Sequence, residues 1–342
     1  MHPESGWVVL LGEAMSRGKV SVIIPARKEP YIRETLRDLY AGAVGAIEVI
    51  LIIDGPMPEY EIPEYKNLRI YHNSKVQGYR PCMMAGVDVA KGKYILKMDA
   101  HCTIGEGWDK ILKADCEDNW IVVPRRYWLD APTWEILDRP HVDAMRYIYP
   151  FKRVYSPRLT ARPWPERGER EKDQMIVEDM SYQGSVWFTT KKHYNQIGGF
   201  DPKDGYGTFG EEPQEIGLKT QLGPWEGKIM RNKNTWFAHW SKPMSHWRTD
   251  PEEAGRVTDD EFTQANTWAF DYWWNNRWND RIHDFQWLID KFWPIPKWPE
   301  NWRWLVTQYT RHKMPTPPKK LIGALIDTST QFQPIERERV KA

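Results

Sequence analysis

The tripeptide Asp99-Ala100-His101 directly follows the apolar run Tyr94 to Met98. Side chains alternate along an extended chain, so Asp99 and His101 can turn a carboxylate and an imidazole towards one point. Oxygen and nitrogen ligands of this kind suit Mn²⁺ or a similar divalent ion, which can also hold a diphosphate. An Asp-x-His tripeptide alone is a weak signal, and we predict a metal site here because of the residues that accompany it.

A pair of acidic residues, Glu211 and Glu212, follows the turn Gly207-Thr208-Phe209-Gly210. A Gly-rich turn lets a carboxylate approach a substrate, and like-charge proximity can raise the pKa of one carboxyl towards that of a general base. Alternatively, both residues only begin the helix predicted over Pro213 to Leu222, since Glu is favoured in a first helical turn. The sequence leaves both interpretations open.

The elements that must position these residues alternate between strands and helices over the first hundred residues. Helical patterns follow Pro30 and Pro81. Short β-branched apolar runs predict buried strands at Val20 to Pro25, Ile47 to Ile53, Leu68 to Tyr71 and Tyr94 to Met98. This alternation predicts an α/β fold with a mostly parallel sheet, helices on both faces, and ligands at the carboxyl ends of the strands. Asp54 and Asp99 lie at such ends.

The pattern weakens after a further predicted strand, Trp120 to Pro124. Pro157 to Asp173 is rich in Pro, Arg and Glu without periodicity, and we interpret it as a loop or a lid. Met180 to Thr189 predicts another strand, and Ile229 to Trp240 predicts the strand that delivers His239.

Composition restricts the class of protein. With 342 residues, 48 Lys plus Arg and 47 Asp plus Glu, the formal charge is +1, so no global field favours nucleic acid or anionic membranes. Three cysteines without paired spacing fit a reducing compartment and predict small core residues. Neither a signal-peptide pattern nor an apolar run of the roughly 18 to 20 residues that span a bilayer is present, so we expect a soluble, cytoplasmic protein.

The order and spacing of four segments resemble the GT-A glycosyltransferases. The resemblance is to the family-two-like group and to the catalytic domain of the polypeptide N-acetylgalactosaminyltransferases, and it covers about residues 20–240. The segments are VSVIIPARKEP, EVILIIDG, GYRPCMMAGVDVAKGKYILKMDAHC and GSVWFTTKKHYNQIGGFDPKDGYGTFGEEPQEIGLK. This resemblance implies a GT-A, Rossmann-like nucleotide-diphospho-sugar transferase fold and a UDP-sugar donor.

The resemblance also implies roles for single residues. Asp99 and His101 match the metal motif of that family, and His239 matches its distant third ligand, with Mn²⁺ or Mg²⁺ as the ion. The implied nucleotide-sugar site contains Pro25, Arg27, Glu29, Asp54, Arg80, Asp99 and Trp187. Arg80 would approach the diphosphate from a helix start. Trp187 is either a platform for the sugar ring or a core residue.

Glu212 matches the acidic position that serves as a base in inverting relatives and binds substrate in retaining relatives. Glu211 stands where the retaining pattern has Gly, so the stereochemical outcome stays open. A metal and an Arg near the departing nucleoside diphosphate would neutralise its developing charge, which is the main electrostatic task in glycosyl transfer.

The implied reaction moves a hexose or N-acetylhexosamine from a UDP-sugar to an acceptor hydroxyl. A glycan, a cell-surface polymer or a protein is the expected acceptor. Hydroxymethylated pyrimidine bases in DNA are an alternative, because local Arg clusters and aromatic side chains suit a flipped base. An alternative from another class is a catalytically inactive nucleotide-sugar binding module.

The last hundred residues lie outside the resemblance. Many of the 20 tryptophans fall after Trp225, among Asn, Asp, Arg and Pro. We therefore predict an N-terminal segment at 1–17, a catalytic domain at 18–245, and a Trp-rich C-terminal extension with a flexible tail at 246–342. Tryptophan rings can bind sugars, but they also pack cores, and packing is the more common use.

Overall fold

The computed structural model describes residues 18–150, 158–201, 205–206, 210–242 and 259–304. The side chains of 259–262 and 264 are outside this description. The predicted N-terminal segment, the turn residues Gly207 to Phe209, the proposed boundary at 245 and the C-terminal tail all lie outside the described residues.

One large sheet carries the site. Its strands are β1 Val20–Ala26, β2 Ile47–Asp54, β3 Leu68–Asn73, β4 Tyr94–Met98, β5 Cys102–Ile104, β6 Trp120–Asp130, β7 Glu135–Ile136, β10 Ile176–Asp179, β11 Val186–Thr190 and β12 Lys228–His239. The path through the sheet is β10-β12-β6-β11-β4-β1-β2-β3, with β5 on β12 and β7 on β6. A separate two-stranded sheet pairs β8 Met145–Tyr147 with β9 Ala161–Pro163.

The helices cover this sheet. They are α1 Ile32–Gly42, α2 Tyr79–Val89, α3 Trp108–Ala114, α4 Pro165–Arg170, α5 Lys191–Gln196, α6 Glu212–Leu222, α7 Asp259–Trp274 and α8 Phe285–Lys291. Helix α1 buries Ile32, Leu36 and Leu39, one stripe at helical spacing. Helix α2 lies close to β1 because Gly86 has no side chain there: an added Cβ would lie 2.5 Å from Ile23 Cγ2.

The expected α/β fold is confirmed, with a sheet that is mixed rather than mostly parallel. Strands β3, β2, β1 and β4 run parallel to one another, and all eight residues of β2 are buried, as a sheet covered on both faces requires. Strand β11 then runs antiparallel to both β4 and β6. Strand β12 is parallel to β6 and antiparallel to β10 and β5.

Two sequence predictions on local structure were wrong in part. The strand predicted over Met180 to Thr189 begins only at Val186, because Gly184 and Ser185 form a turn before it. The stretch predicted as a loop or lid contains β9 and the short helix α4, which begins at Pro165, a residue whose fixed φ suits a first helical turn. Pro157 itself lies outside the described residues.

The Trp-rich region packs on the sheet domain through a second hydrophobic cluster. Trp273, Trp274 and Trp298 are buried in it together with Tyr147 of β8 and Leu218 of α6. The cluster therefore joins residues from both sides of the predicted domain boundary. The three cysteines are free and buried, as expected of small core residues. Within the described residues, no helix is long and apolar enough to cross a membrane.

Candidate metal and substrate site

The candidate metal ligands meet at the carboxyl end of β4. Asp99 follows β4, His101 lies two residues later, and His239 ends β12, which β5 brings alongside through the pair His239–Cys102. The Nε2 atoms of His101 and His239 are 3.1 Å apart, and Asp99 Oδ2 lies 3.3 Å from His239 Nε2 and 4.0 Å from His101 Nε2. One ligand atom from each residue thus faces the same point, and we call these three residues the metal cluster, although they are a set of candidate ligands.

These separations fit a bound divalent ion. Adjacent ligands about 2.1 Å from a six-coordinate ion lie about 3 Å from each other, close to two of the three separations. A carboxylate and two imidazoles suit Mn²⁺ or a similar divalent ion. The residues present therefore fit the metal that the sequence predicts.

The protonation states of His239 and Asp99 also favour metal binding. Burial lowers the pKa of His239 to about 4, so this imidazole is neutral at pH 7, the form that binds metals. Burial alone would raise the pKa of Asp99, but Lys97 and the two histidines hold it well below its usual range. Asp99 is therefore an anionic ligand, and His239 is a neutral one.

Glu29 orients His101. Its Oε2 lies 3.0 Å from His101 Nδ1, so a proton on Nδ1 leaves the lone pair of Nε2 pointing towards Asp99 and His239. Lys242 forms an ion pair with the other oxygen of Glu29. The sequence predicted Glu29 as part of the nucleotide pocket, and in the structure its carboxylate lies against the candidate metal ligand His101.

Asp54 ends β2, at the carboxyl edge of the parallel strands, and both of its oxygens accept hydrogen bonds. Oδ1 accepts the backbone N–H of Gln77 and Oδ2 that of Gly78, each at 2.8 Å. Asp54 thereby fixes the loop that leads into α2. Pro25, in β1, and Arg27, directly after it, lie at the neighbouring strand end and are partly exposed.

Arg80 does not stand open to a ligand. Its guanidinium forms an ion pair with Glu215 of α6, donates to the carbonyl of Gly210 at 2.7 Å, and lies 4.2 Å from the ring centroid of Tyr206. Arg80 is 3% exposed. The structure therefore does not show the predicted approach of Arg80 to a diphosphate. Both terminal nitrogens of its guanidinium already bind protein acceptors, the Glu215 carboxylate and the Gly210 carbonyl.

Trp187 needs a correction as well. Its side chain is 1% exposed, and its ring stacks on Tyr194 with the centroids 6.2 Å apart. It lies in β11 opposite Lys97 of β4, inside the main core. A ring enclosed in this way has no face for a sugar, so of the two readings the core position is the one the structure shows.

The two acidic residues begin α6 in different environments. Glu212 Oε1 accepts the backbone N–H of Gly210 at 2.7 Å. Glu211 has a φ of 57°, a left-handed conformation that costs a residue with a Cβ about 1–2 kcal/mol. Its Oε2 is buried without a hydrogen-bond partner, and burial, followed by the charge of Glu212, raises the pKa of Glu211 well above its usual value.

Tyr79 and Lys97 link these acids to the metal cluster. Burial, followed by the charges of Glu212 and Asp99, raises the pKa of Tyr79 well above its usual value. Lys97 pairs with Asp99 and lies 4.9 Å from the ring centroid of Tyr79. Lys97 also donates to the carbonyl of Gly184 at 2.6 Å, and Gly184 packs against Pro213 of α6. The start of α6 therefore lies next to the cluster.

Sequence reasoning missed Lys97 and Lys242. Lys97 sits two residues before Asp99 on an extended chain, and this spacing could have indicated a shared face. Lys242 lies three residues after His239, in a segment without strand or helix periodicity, so no local pattern indicated its contact with Glu29.

Comparison with known proteins agrees with the fold. Residues 21–175 match the family described as Glycosyl transferase family 2. Polypeptide N-acetylgalactosaminyltransferase 5 of Caenorhabditis elegans is 22% identical over 260 residues, which cover 70% of this chain and 39% of that protein. A crystal structure of GalNAc-T7 with UDP, GalNAc and Mn2+ has a TM-score of 0.60 and 18% identity, covering 76% of this chain and 49% of that one. The chain spans less than half the length of both relatives, and the expected GT-A fold and resemblance are confirmed.

Proposed function

We propose that this GT-A chain, with its glycosyl transferase family 2 region, is a metal-dependent glycosyltransferase that moves a hexose or N-acetylhexosamine from a UDP-sugar to an acceptor hydroxyl. The observation that carries the proposal is the convergence of Asp99, His101 and His239 at the carboxyl end of β4. The solved relative with UDP, GalNAc and Mn2+ supports the choice of donor and ion. The acceptor in this proposal is a glycan, a cell-surface polymer or a protein.

The protein would hold the ion through Asp99 Oδ2 and the Nε2 atoms of His101 and His239. Such an ion would supply positive charge to the diphosphate as it leaves. Glu29 keeps His101 in the ligating tautomer, and Lys97 holds the second oxygen of Asp99, so the carboxylate cannot rotate freely. Pro25, Arg27 and Asp54, at the ends of β1 and β2, are the proposed walls of the nucleotide pocket.

Glu211 and Glu212 are the proposed catalytic acids. Glu211 has a buried oxygen without a hydrogen-bond partner, and its pKa is raised above the usual value, which makes its carboxylate a stronger base towards an acceptor hydroxyl. Glu212 Oε1 accepts the backbone N–H of Gly210 and so holds the backbone directly before α6. In this proposal Glu211 takes the proton and Glu212 fixes the backbone from which it projects.

The test is UDP release from a panel of UDP-sugars with Mn²⁺, with and without EDTA. Release that requires metal and is lost in D99A and H239A would support the proposal and identify the donor. H141A is the matched control, because His141 is a half-exposed imidazole that contacts Asp143 away from the cluster. Release that EDTA leaves unchanged would overturn the metal dependence, and absence of UDP binding and turnover with every donor would overturn the function.

Products from candidate acceptors then separate the acceptor classes. Incubation with glycans, a protein substrate and hydroxymethylated DNA, followed by mass spectrometry, shows which one gains the mass of the sugar. Transfer to DNA alone would replace the proposed acceptor by the modified base. Steep loss of that transfer with salt would be expected for an acceptor held by its phosphates.

A further inference from the structure

Arg126 is a buried cation without an acidic partner among the residues that the structure describes. It lies in β6, is 5% exposed, and its Nε is buried without a hydrogen-bond partner. Its Nη2 donates to Ser241 Oγ at 3.2 Å, and its guanidinium carbon lies 3.9 Å from the ring centroid of Trp128. Burial lowers the pKa of Arg126 to about 10, which reflects the cost of enclosing this charge.

Two arginines, Arg231 and Arg80, are buried still more deeply than Arg126 and are paired with acids. Arg231 forms an ion pair with Asp179 at 3.0 Å, and Arg80 forms one with Glu215. A buried charge without a counter-ion is strongly unfavourable, and contact with one Trp face offsets only part of that cost. The protein therefore keeps at Arg126 an anion-binding capacity that its own described residues do not use.

The strand register places Arg126 on the side of the sheet that carries a metal ligand. Strands β6 and β12 are parallel, with Trp128 opposite His239 and Arg126 opposite Phe237. Residues two apart on a strand share a face, so Arg126, Trp128 and His239 lie on one face. Ser241, which accepts the hydrogen bond of Arg126, lies two residues after His239. The unpaired cation is thus a near neighbour of the metal cluster.

We propose that Arg126 is an anion-binding residue that takes a phosphate oxygen of the substrate beside the metal cluster. The planar fork of an arginine matches phosphate geometry with two parallel hydrogen bonds, and Nε is one of the donors such a fork uses. Two sources share this chemistry: the diphosphate of the donor, or a phosphate on the acceptor. The choice between these sources rests on the proposed function, whereas the binding of phosphate itself does not.

The test compares wild type with R126Q, R126K and R126M, with R125Q as the matched control. Arg125 is the next residue of β6, but its guanidinium is held by both oxygens of Asp143. Titration calorimetry with Mg²⁺ measures the affinities for UDP and uridine. Binding of inorganic phosphate to protein saturated with Mg²⁺ and UDP is measured by ³¹P NMR.

Loss of about tenfold or more in UDP affinity in R126Q, with uridine affinity unchanged and R126K less affected, would assign the anion to the donor diphosphate. Unchanged UDP affinity with loss of phosphate binding only in the R126 variants would assign it to the acceptor. If wild type binds phosphate through Arg126 but no UDP, the inference stands and the proposed function fails. Equal UDP and phosphate binding in wild type and R126Q would overturn the inference.

Thermal unfolding separates this role from packing. Removing an unpaired buried charge should raise the Tm of R126M above that of wild type, and added phosphate should raise the Tm of wild type but not of R126M. If R126M instead unfolds at lower temperature and phosphate leaves both melting curves unchanged, Arg126 is a packing residue and the inference is wrong.

Discussion

Two groups of buried charges, one around Glu215 and one around Asp99, differ in how they are paired. Around Glu215 the partners close on each other: one oxygen accepts from Lys219 Nζ at 2.7 Å and from the backbone N–H of Asp201 at 2.8 Å, while the other pairs with Arg80. Around Asp99, the two Nε2 atoms and Oδ2 face one another. In the first group, which we call the closed network, the charges are paired with one another. In the second group, which we call the open cluster, ligand atoms are directed at a shared point.

This difference separates a structural role from a binding role. Arg80 and Glu215 hold both ends of the segment from Asp201 to Gly210, since Arg80 also donates to Gly210. Tyr206, in that segment, packs on Arg80 and on Trp268 of α7. The Trp-rich region therefore supports the closed network, and the network fixes the start of α6, from which Glu211 and Glu212 project. The open cluster around Asp99 then supplies the ligands.

The largest expected effect is on the open cluster. Replacing Asp99 by Asn should lower metal-dependent UDP release by about 10³-fold or more, or about 4 kcal/mol of activation free energy, because the anionic ligand is lost. Calorimetry with Mn²⁺ should show the matching loss of metal affinity. The melting temperature without metal should fall as well, because Lys97 loses its charge partner. A D99N protein that binds Mn²⁺ with wild-type affinity would contradict the assignment of this cluster.

A substitution in the closed network should instead lower the unfolding free energy of the protein. Replacing Glu215 by Gln leaves Arg80 and Lys219 without their charge partner, and removing one member of a buried ion pair costs roughly 3–5 kcal/mol of unfolding free energy. Urea unfolding measures the loss. Glu169→Gln is the control, because Glu169 and Lys172 form an ion pair at the surface and should give no measurable change. Equal stability of E215Q and wild type would remove the distinction between the two groups.

The third expected effect is a change of stability with pH. It concerns His193, which belongs to neither group of buried charges. Burial lowers the pKa of His193 to about 4 from 6.5, and its Nε2 lies 3.0 Å from Thr220 Oγ1. A His whose folded-state pKa is depressed takes up its proton more readily when unfolded, so stability is fully present above pH 6.5 and falls between pH 6.5 and 4, by about 3 kcal/mol. His193→Gln should flatten this part of the profile of unfolding free energy against pH. An unchanged slope in H193Q would assign the loss to other groups.

The smallest effect concerns Glu211, which precedes α6. Replacing it by Gly removes a side chain from a φ of 57° and should stabilise the protein by roughly 1–2 kcal/mol. If Glu211 takes the proton of the acceptor hydroxyl, E211G should still bind UDP but transfer sugar more slowly. Denaturant unfolding and transfer kinetics measured on the same preparation check both parts. Lower stability together with unchanged transfer would contradict both the strain and the catalytic role.

The sequence predicted the parts of the molecule that depend on neighbouring residues. Alternating apolar runs indicated β1 to β4 and the helices between them, because a sheet covered on both faces needs continuous hydrophobic strands. Asp99 and His101 could be paired from their spacing on one extended segment. The link to His239, 138 residues beyond His101, came from a family resemblance and not from any local pattern.

Only the tertiary structure determined which of these side chains are paired within the protein and which stay available to a ligand. Arg80 and Glu215 are 135 residues apart, and nothing local to either one indicates that they pair. The same holds for Glu29 and His101, 72 residues apart, and for Arg126, whose lack of an acidic partner among the described residues is visible only when its surroundings are assembled. Residue type and local spacing determine what chemistry a side chain can do. Its availability depends on contacts between distant segments, which form only when the sheet brings them together.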